Sequence, residues 1–129
     1  MTVRYLEGQK EKLNYFIKNN QYENALTIAK DILVLDQSES TSYQIVGKIY
    51  SLLNNHKQAI DNFIRAIELN PKCNHNYISI SQSLSTIGEN EKGISYLEKG
   101  IKIVGNDPLI FYNFGSNTSK KQKLGSSRS

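Results

Sequence analysis

The feature that most constrains this chain is repetition. Laid over itself at an offset of 34 residues, the sequence sets Tyr43 on Tyr77, Val46 on Ile80, Gly47 on Ser81 and Tyr50 on Leu84, then Ala59 on Gly93, Phe63 on Leu97 and Ala66 on Gly100. Large residues fall on large ones and small on small. Carried back, the register sets Phe16 under Tyr50 and Ala25 under Ala59; carried forward, it sets Phe111, Phe114 and Gly115 under Tyr77, Ile80 and Ser81. The units run over approximately 6–39, 40–73 and 74–107, with a partial fourth from 108. Such a chain buries the face of each unit against its neighbours instead of closing around one centre.

Within a unit the apolar period is helical. Ala59, Ile60, Phe63, Ile64, Ala66, Ile67 and Leu69 recur at spacings of three and four, as do Tyr43, Val46, Gly47, Tyr50 and Leu53. Short polar joints, Asn19-Asn20-Gln21, Asn54-Asn55-His56 and Gly88-Glu89-Asn90, separate the two helices of each unit. Asn70-Pro71 and Asp107-Pro108 break the chain between units, and Pro108 suits the first turn of a following helix, where its missing amide costs little.

Tyr43-x-x-Val46-Gly47-x-x-Tyr50, then Ala59-x-x-x-Phe63-x-x-Ala66 and Pro71, resembles the tetratricopeptide repeat in content and spacing. Tyrosine stands for the family's tryptophan and valine for its leucine. The resemblance implies an all-α fold, an α-solenoid of tandem helix-turn-helix hairpins coiled as a right-handed superhelix. The residues carry a packing reason of their own. Gly47, Ala59 and Ala66 let helices approach closely, and Tyr43, Tyr50 and Phe63 fill the space between hairpins.

The outer units depart from the pattern. The first helix of the first unit has neither the aromatic nor the glycine. In the third, Gly93 and Gly100 replace alanines, each costing about 1 kcal/mol of helix propensity, so that unit is expected to open more easily than the second. After Gly115 the pattern stops, and the Ser, Gly, Lys and Asn of the remaining stretch favour disorder. The expected organisation is a repeat domain over 1–117 and a disordered basic tail over 118–129. The partial fourth unit leaves Phe111, Tyr112 and Phe114 without a partner helix, a candidate self-association patch.

Charge follows the same division. The formal net charge of +4 comes from Lys120, Lys121, Lys123 and Arg128, because every acidic residue lies at or before Asp107 and the body is neutral. With no aromatic among these four cations, nucleic-acid binding is not expected. Charged residues interrupt the N-terminal segment, and no run approaches the ~20 apolar residues of a membrane helix, so neither a secretory signal nor a membrane partner is expected and the cytoplasm is the default.

No catalytic constellation stands out, and no enzyme activity or cofactor is expected. Cys73-Asn74-His75 lacks the further pair that a zinc site of about four ligands needs. Asn117-Thr118-Ser119 fits the glycosylation acceptor pattern but reads as a chance match.

What the resemblance implies is a protein-interaction module, scaffold or adaptor, that binds a peptide or partner protein in the groove lined by the first helix of each hairpin. Projected onto this sequence, the groove candidates are Lys10, Asn14 and Ile17 in the first unit, Thr41, Gln44, Lys48 and Ser51 in the second, and His75, Ile78, Gln82 and Ser85 in the third. Two lysines and no carboxylate among them point to an acidic peptide. Of the five groups with which chaperone adaptors of this family grip a terminal carboxylate, only Lys10 and Asn14 are matched, so a full clamp is not expected. The alternative makes the chain a recruiting N-terminal part of a larger enzyme such as a glycosyltransferase or sulfotransferase.

Overall fold

The computed structural model describes residues 2–127, with the backbone alone at Thr2, Val3 and 120–127. The described residues form seven helices and no strand: α1 (Thr2–Lys18), α2 (Tyr22–Leu35), α3 (Ser40–Leu52), α4 (His56–Leu69), α5 (Asn74–Thr86), α6 (Asn90–Val104) and α7 (Pro108–Ser127). Each helix packs on the next, pairing α1 with α2, α3 with α4 and α5 with α6 as hairpins. The architecture is the all-α solenoid that the repeat pattern implies.

The hairpin joints repeat the same backbone chemistry. Asn20, Asn54 and Gly88 have φ of 61°, 63° and 88°, left-handed values that Gly adopts without strain and Asn tolerates. The amide of the next residue, Gln21, Asn55 or Glu89, then donates to the carbonyl of Phe16, Tyr50 or Leu84, each at 2.8 Å. This is the closing bond of a helix C-cap, and it folds the chain back on itself.

Asp107 starts α7. Its Oδ1 accepts from the amides of Leu109 (2.9 Å) and Ile110 (3.2 Å), while Oδ2 accepts from Asn74 Nδ2 at 2.7 Å, tying the cap to the start of α5. Pro108 occupies the first helical position, as expected.

The core runs through the hairpins in two clusters. Leu13, Ala25, Val46, Ala59, Phe63, Tyr77 and Ile80 belong to one buried cluster, and Ile78, Leu97 and Ile110 form a second one with Phe114 packed against it. The small residues sit where helices touch. A Cβ on Gly47 would lie 3.0 Å from Phe63 Cε1, and one on Gly100 would lie 2.9 Å from Tyr77 Cγ. The glycines of the third hairpin therefore do more than weaken a helix: they admit the neighbouring helix.

Tyr77 shows the consequence. Its counterpart in the second hairpin, Tyr43, is half-buried, with the Arg65 guanidinium 5.7 Å from its ring. Tyr77 is 0% exposed, and its hydroxyl donates to the Pro71 carbonyl at 2.7 Å. The ring lies against Gly100, which stands in the register position of Ala66.

Two differences from the sequence reading concern the ends. Helix α7 continues to Ser127, where disorder from 118 was expected. Anchored by the Asp107 cap and by buried Ile110 and Asn117, it meets no proline, and Thr118 Oγ1 bonds back to the Phe114 and Gly115 carbonyls at 3.0 Å. The side chains of Lys120, Lys121 and Lys123, and all of Arg128, lie outside the described residues. At the other end, α3 touches α5 and α5 touches α7, but no Cα of α1 comes within 8 Å of one in α3. Buried Leu13 occupies the register position of Gly47 and Ser81.

Candidate peptide-binding groove

The gap between α1 and α3 is a pocket of about 420 Å³. Its apolar lining comes from Leu6 and Leu13 of α1, Ile32 of α2 and Ile45 of α3. Lys10 and Asn14 line it from α1, Thr41 and Ser42 from α3, and Asp36 and Glu39 from the turn joining α2 to α3. Helical spacing puts Leu6, Lys10, Leu13 and Asn14 on one face of α1. The volume and the mixture of an apolar surface with a few polar groups suit a ligand-sized object.

Electrostatically this pocket differs from expectation. Projection of the first helices gave lysines and no carboxylate, whereas Asp36 and Glu39 face the space that Lys10 enters. Asp36 Oδ1 accepts from Ser38 Oγ at 3.0 Å, and the Glu39 side chain forms no cap bond to α3. Among the described residues the ion pairs are Arg65–Glu68 and Lys92–Glu89, both 3.2 Å and away from the pocket. The two carboxylates outnumber the single cation, which removes the basis for an acidic ligand at this end.

A second pocket, about 460 Å³, lies between α5 and α7. Gln82, Ser85 and Thr86 face Asn113, Ser116 and Asn117, an all-polar, uncharged lining. Asn117 is 6% exposed, and its Nδ2 donates to Ser81 Oγ at 2.6 Å. That bond occupies the amide of the glycosylation-like triplet inside the fold.

The structure thus gathers Lys10, Asn14 and Thr41 in one pocket and Gln82 and Ser85 in the other. Ile17, Gln44, Lys48, Ser51 and His75 line neither. Ile78 is a correction: it is 8% exposed, packed with Leu97 and Ile110 beneath α7, and offers no groove surface. Phe114 is likewise half-buried against that cluster, so the exposed aromatics of α7 are Phe111 and Tyr112, beside Leu109.

Sequence projection missed Asp36 and Glu39 because it followed the first helices and passed over the turn between units. Ser116 was within reach, since the same 34-residue register sets it under Gln82.

Arg65 is held above its usual range, chiefly by its hydrogen bond with Tyr43, and burial pushes the Tyr77 phenol up. Cys73 is a half-buried free thiol. Among the described residues no group of three or more His, Cys, Asp and Glu could hold a metal, and no helix is long and apolar enough to cross a membrane.

The model of the tetratricopeptide repeat family matches residues 40–73, the unit delimited by the register. Residues 40–73 are a tetratricopeptide repeat. A stretch of 60 residues is 32% identical to cell division cycle protein 27 homolog B of Arabidopsis thaliana, covering 41% of this chain and 8% of that protein. The chain therefore spans a small part of the length of that curated relative. Among solved structures, the tetratricopeptide domain of Sgt2 from Aspergillus fumigatus superposes with a TM-score of 0.84 at 15% identity, covering 97% of this chain and 84% of that one. The type III secretion chaperone SycD of Yersinia enterocolitica, in complex with a peptide of the translocator YopD, gives 0.81 at 18% identity over 92% and 95%. The first TPR of Spaghetti (RPAP3), bound to an HSP90 peptide, gives 0.78 at 15% over 91% and 93%. At these identities the likeness is one of fold, and the chain carries the tetratricopeptide-repeat solenoid.

Proposed function

We propose that this chain is a protein-interaction module that holds a peptide segment of a partner protein in the pocket between α1 and α3. The observation that carries the reading is the pocket itself: about 420 Å³, with Leu6, Leu13, Ile32 and Ile45 beneath the polar groups of Lys10, Asn14, Asp36, Glu39 and Thr41. An apolar side chain of an extended segment fits such a floor, and the rim orients its backbone and neighbours. The resemblance in fold to SycD and Spaghetti, each solved with a peptide, supports the same reading.

The test is selection of peptides from a random display library on the full chain, followed by measurement against Thr41→Trp. Thr41 is exposed at the rim, so an indole there obstructs the pocket without entering the core. Selected peptides should lose at least about tenfold in affinity, the effect of blocking a buried anchor. Undiminished binding to Thr41→Trp would refute this site.

A further inference from the structure

We infer that the α1–α3 pocket selects a peptide carrying an apolar side chain flanked by lysine or arginine, the opposite charge preference to that expected from the groove lysines. The inference rests on the interaction reading above and specifies the ligand. Four aliphatic side chains, Leu6, Leu13, Ile32 and Ile45, supply the apolar surface. Two carboxylates and one ammonium supply the charge, and among the described residues none of Lys10, Asp36 and Glu39 forms an ion pair.

The charges are also segregated. Asp36 and Glu39 both come from the α2–α3 turn, while Lys10 projects from α1. A ligand cation therefore meets two carboxylates carried by one turn. A ligand carboxylate would find only the single ammonium of Lys10. Asp36 is half-buried, so its field is less screened than that of a free surface carboxylate. Complementarity of this kind sets which partner docks and how fast.

The experiment uses the full chain and three fluorescein-labelled octapeptides in polarisation titrations. One carries two leucines between arginines, one carries two leucines between glutamates, and one carries serines between arginines. At low salt the arginine–leucine peptide should bind at least about tenfold more tightly than either other, and the margin over the glutamate peptide should shrink near 1 M salt, where the Debye length is about 3 Å. The double variant Asp36→Asn/Glu39→Gln should erase the charge preference but keep the leucine preference. Lys10→Ala should tighten the arginine–leucine peptide.

Equal or tighter binding of the glutamate peptide, sensitive to Thr41→Trp, overturns the charge inference and leaves the interaction site standing. A preference that survives Asp36→Asn/Glu39→Gln also overturns it. Failure of all three peptides to bind, or binding indifferent to Thr41→Trp, overturns the inference together with the site. Both carboxylates lie outside the core, so unchanged circular dichroism and melting of the variants separate lost recognition from lost fold.

Discussion

Gly100→Ala is the sharpest probe of how the third hairpin is packed. By helix propensity alone, alanine in the middle of α6 should stabilise by about 1 kcal/mol. The new Cβ, however, would lie 2.9 Å from Cγ and 3.1 Å from Cβ of Tyr77, closer than non-bonded carbons approach. Tyr77 has nowhere to go: it is 0% exposed and its hydroxyl is tied to the Pro71 carbonyl at 2.7 Å. Overpacking of this kind costs about 1–3 kcal/mol, so Gly100→Ala should be net destabilising by about 1 kcal/mol.

Gly8→Ala is the control, because Gly8 is exposed in α1 and an added Cβ meets nothing within 4 Å. It should stabilise by up to about 1 kcal/mol, leaving the two alanines about 2 kcal/mol apart. Urea unfolding followed by circular dichroism reads the difference, provided both variants keep the parent m-value. In a Tyr77→Ala background the sign should invert, with Gly100→Ala becoming stabilising and a coupling of about 2 kcal/mol. Gly100→Ala as favourable as Gly8→Ala, or an effect independent of Tyr77, would refute the reasoning.

Three further outcomes follow from the described bonds. Asp107→Ala removes acceptors from the amides of Leu109 and Ile110 and from Asn74, and should cost about 1–2 kcal/mol in urea unfolding, with faster proteolysis in α7. Burial raises the Tyr77 phenol above its ordinary value of 10.0, so the unfolded chain loses this proton first. Between the two values the native state binds more protons, and stability falls as pH rises above about 10; Tyr77→Phe should flatten that fall while weakening the fold by about 1 kcal/mol at neutral pH. At Asn54, where φ is 63°, Asn54→Gly should hold or raise the melting temperature, whereas Asn54→Ala should lower stability by about 1 kcal/mol.

What was legible in the letters is what local chemistry dictates at a fixed spacing. The joints at Asn20, Asn54 and Gly88 are written by residues that tolerate positive φ, and the small positions Gly47, Ala59 and Ala66 by the closeness of two helices. The full extent of α7 was not legible, because composition speaks for 118–129 taken alone. The structure attaches residues 118–127 to a helix already held by Asp107, Ile110 and Asn117.

The pocket has a different origin. Positions that obey the register are consumed by packing, and even Ile78, which the register sets on polar Gln44, is closed under α7. A ligand surface must then arise where the register fails, and the first hairpin fails it at two places. Gln9 stands in the position of Tyr43, buried at 7% exposure and donating to Tyr5 Oη at 3.2 Å, and Leu13 stands in the position of Gly47. Here α1 keeps its distance from α3, and the aliphatic residues Leu6, Leu13, Ile32 and Ile45 line a cavity between them. The charges of that cavity come from Asp36 and Glu39, in a turn whose sequence is not bound by the helical period. Recognition in a repeat chain of this kind is therefore to be sought in departures from the consensus and in the turns between units.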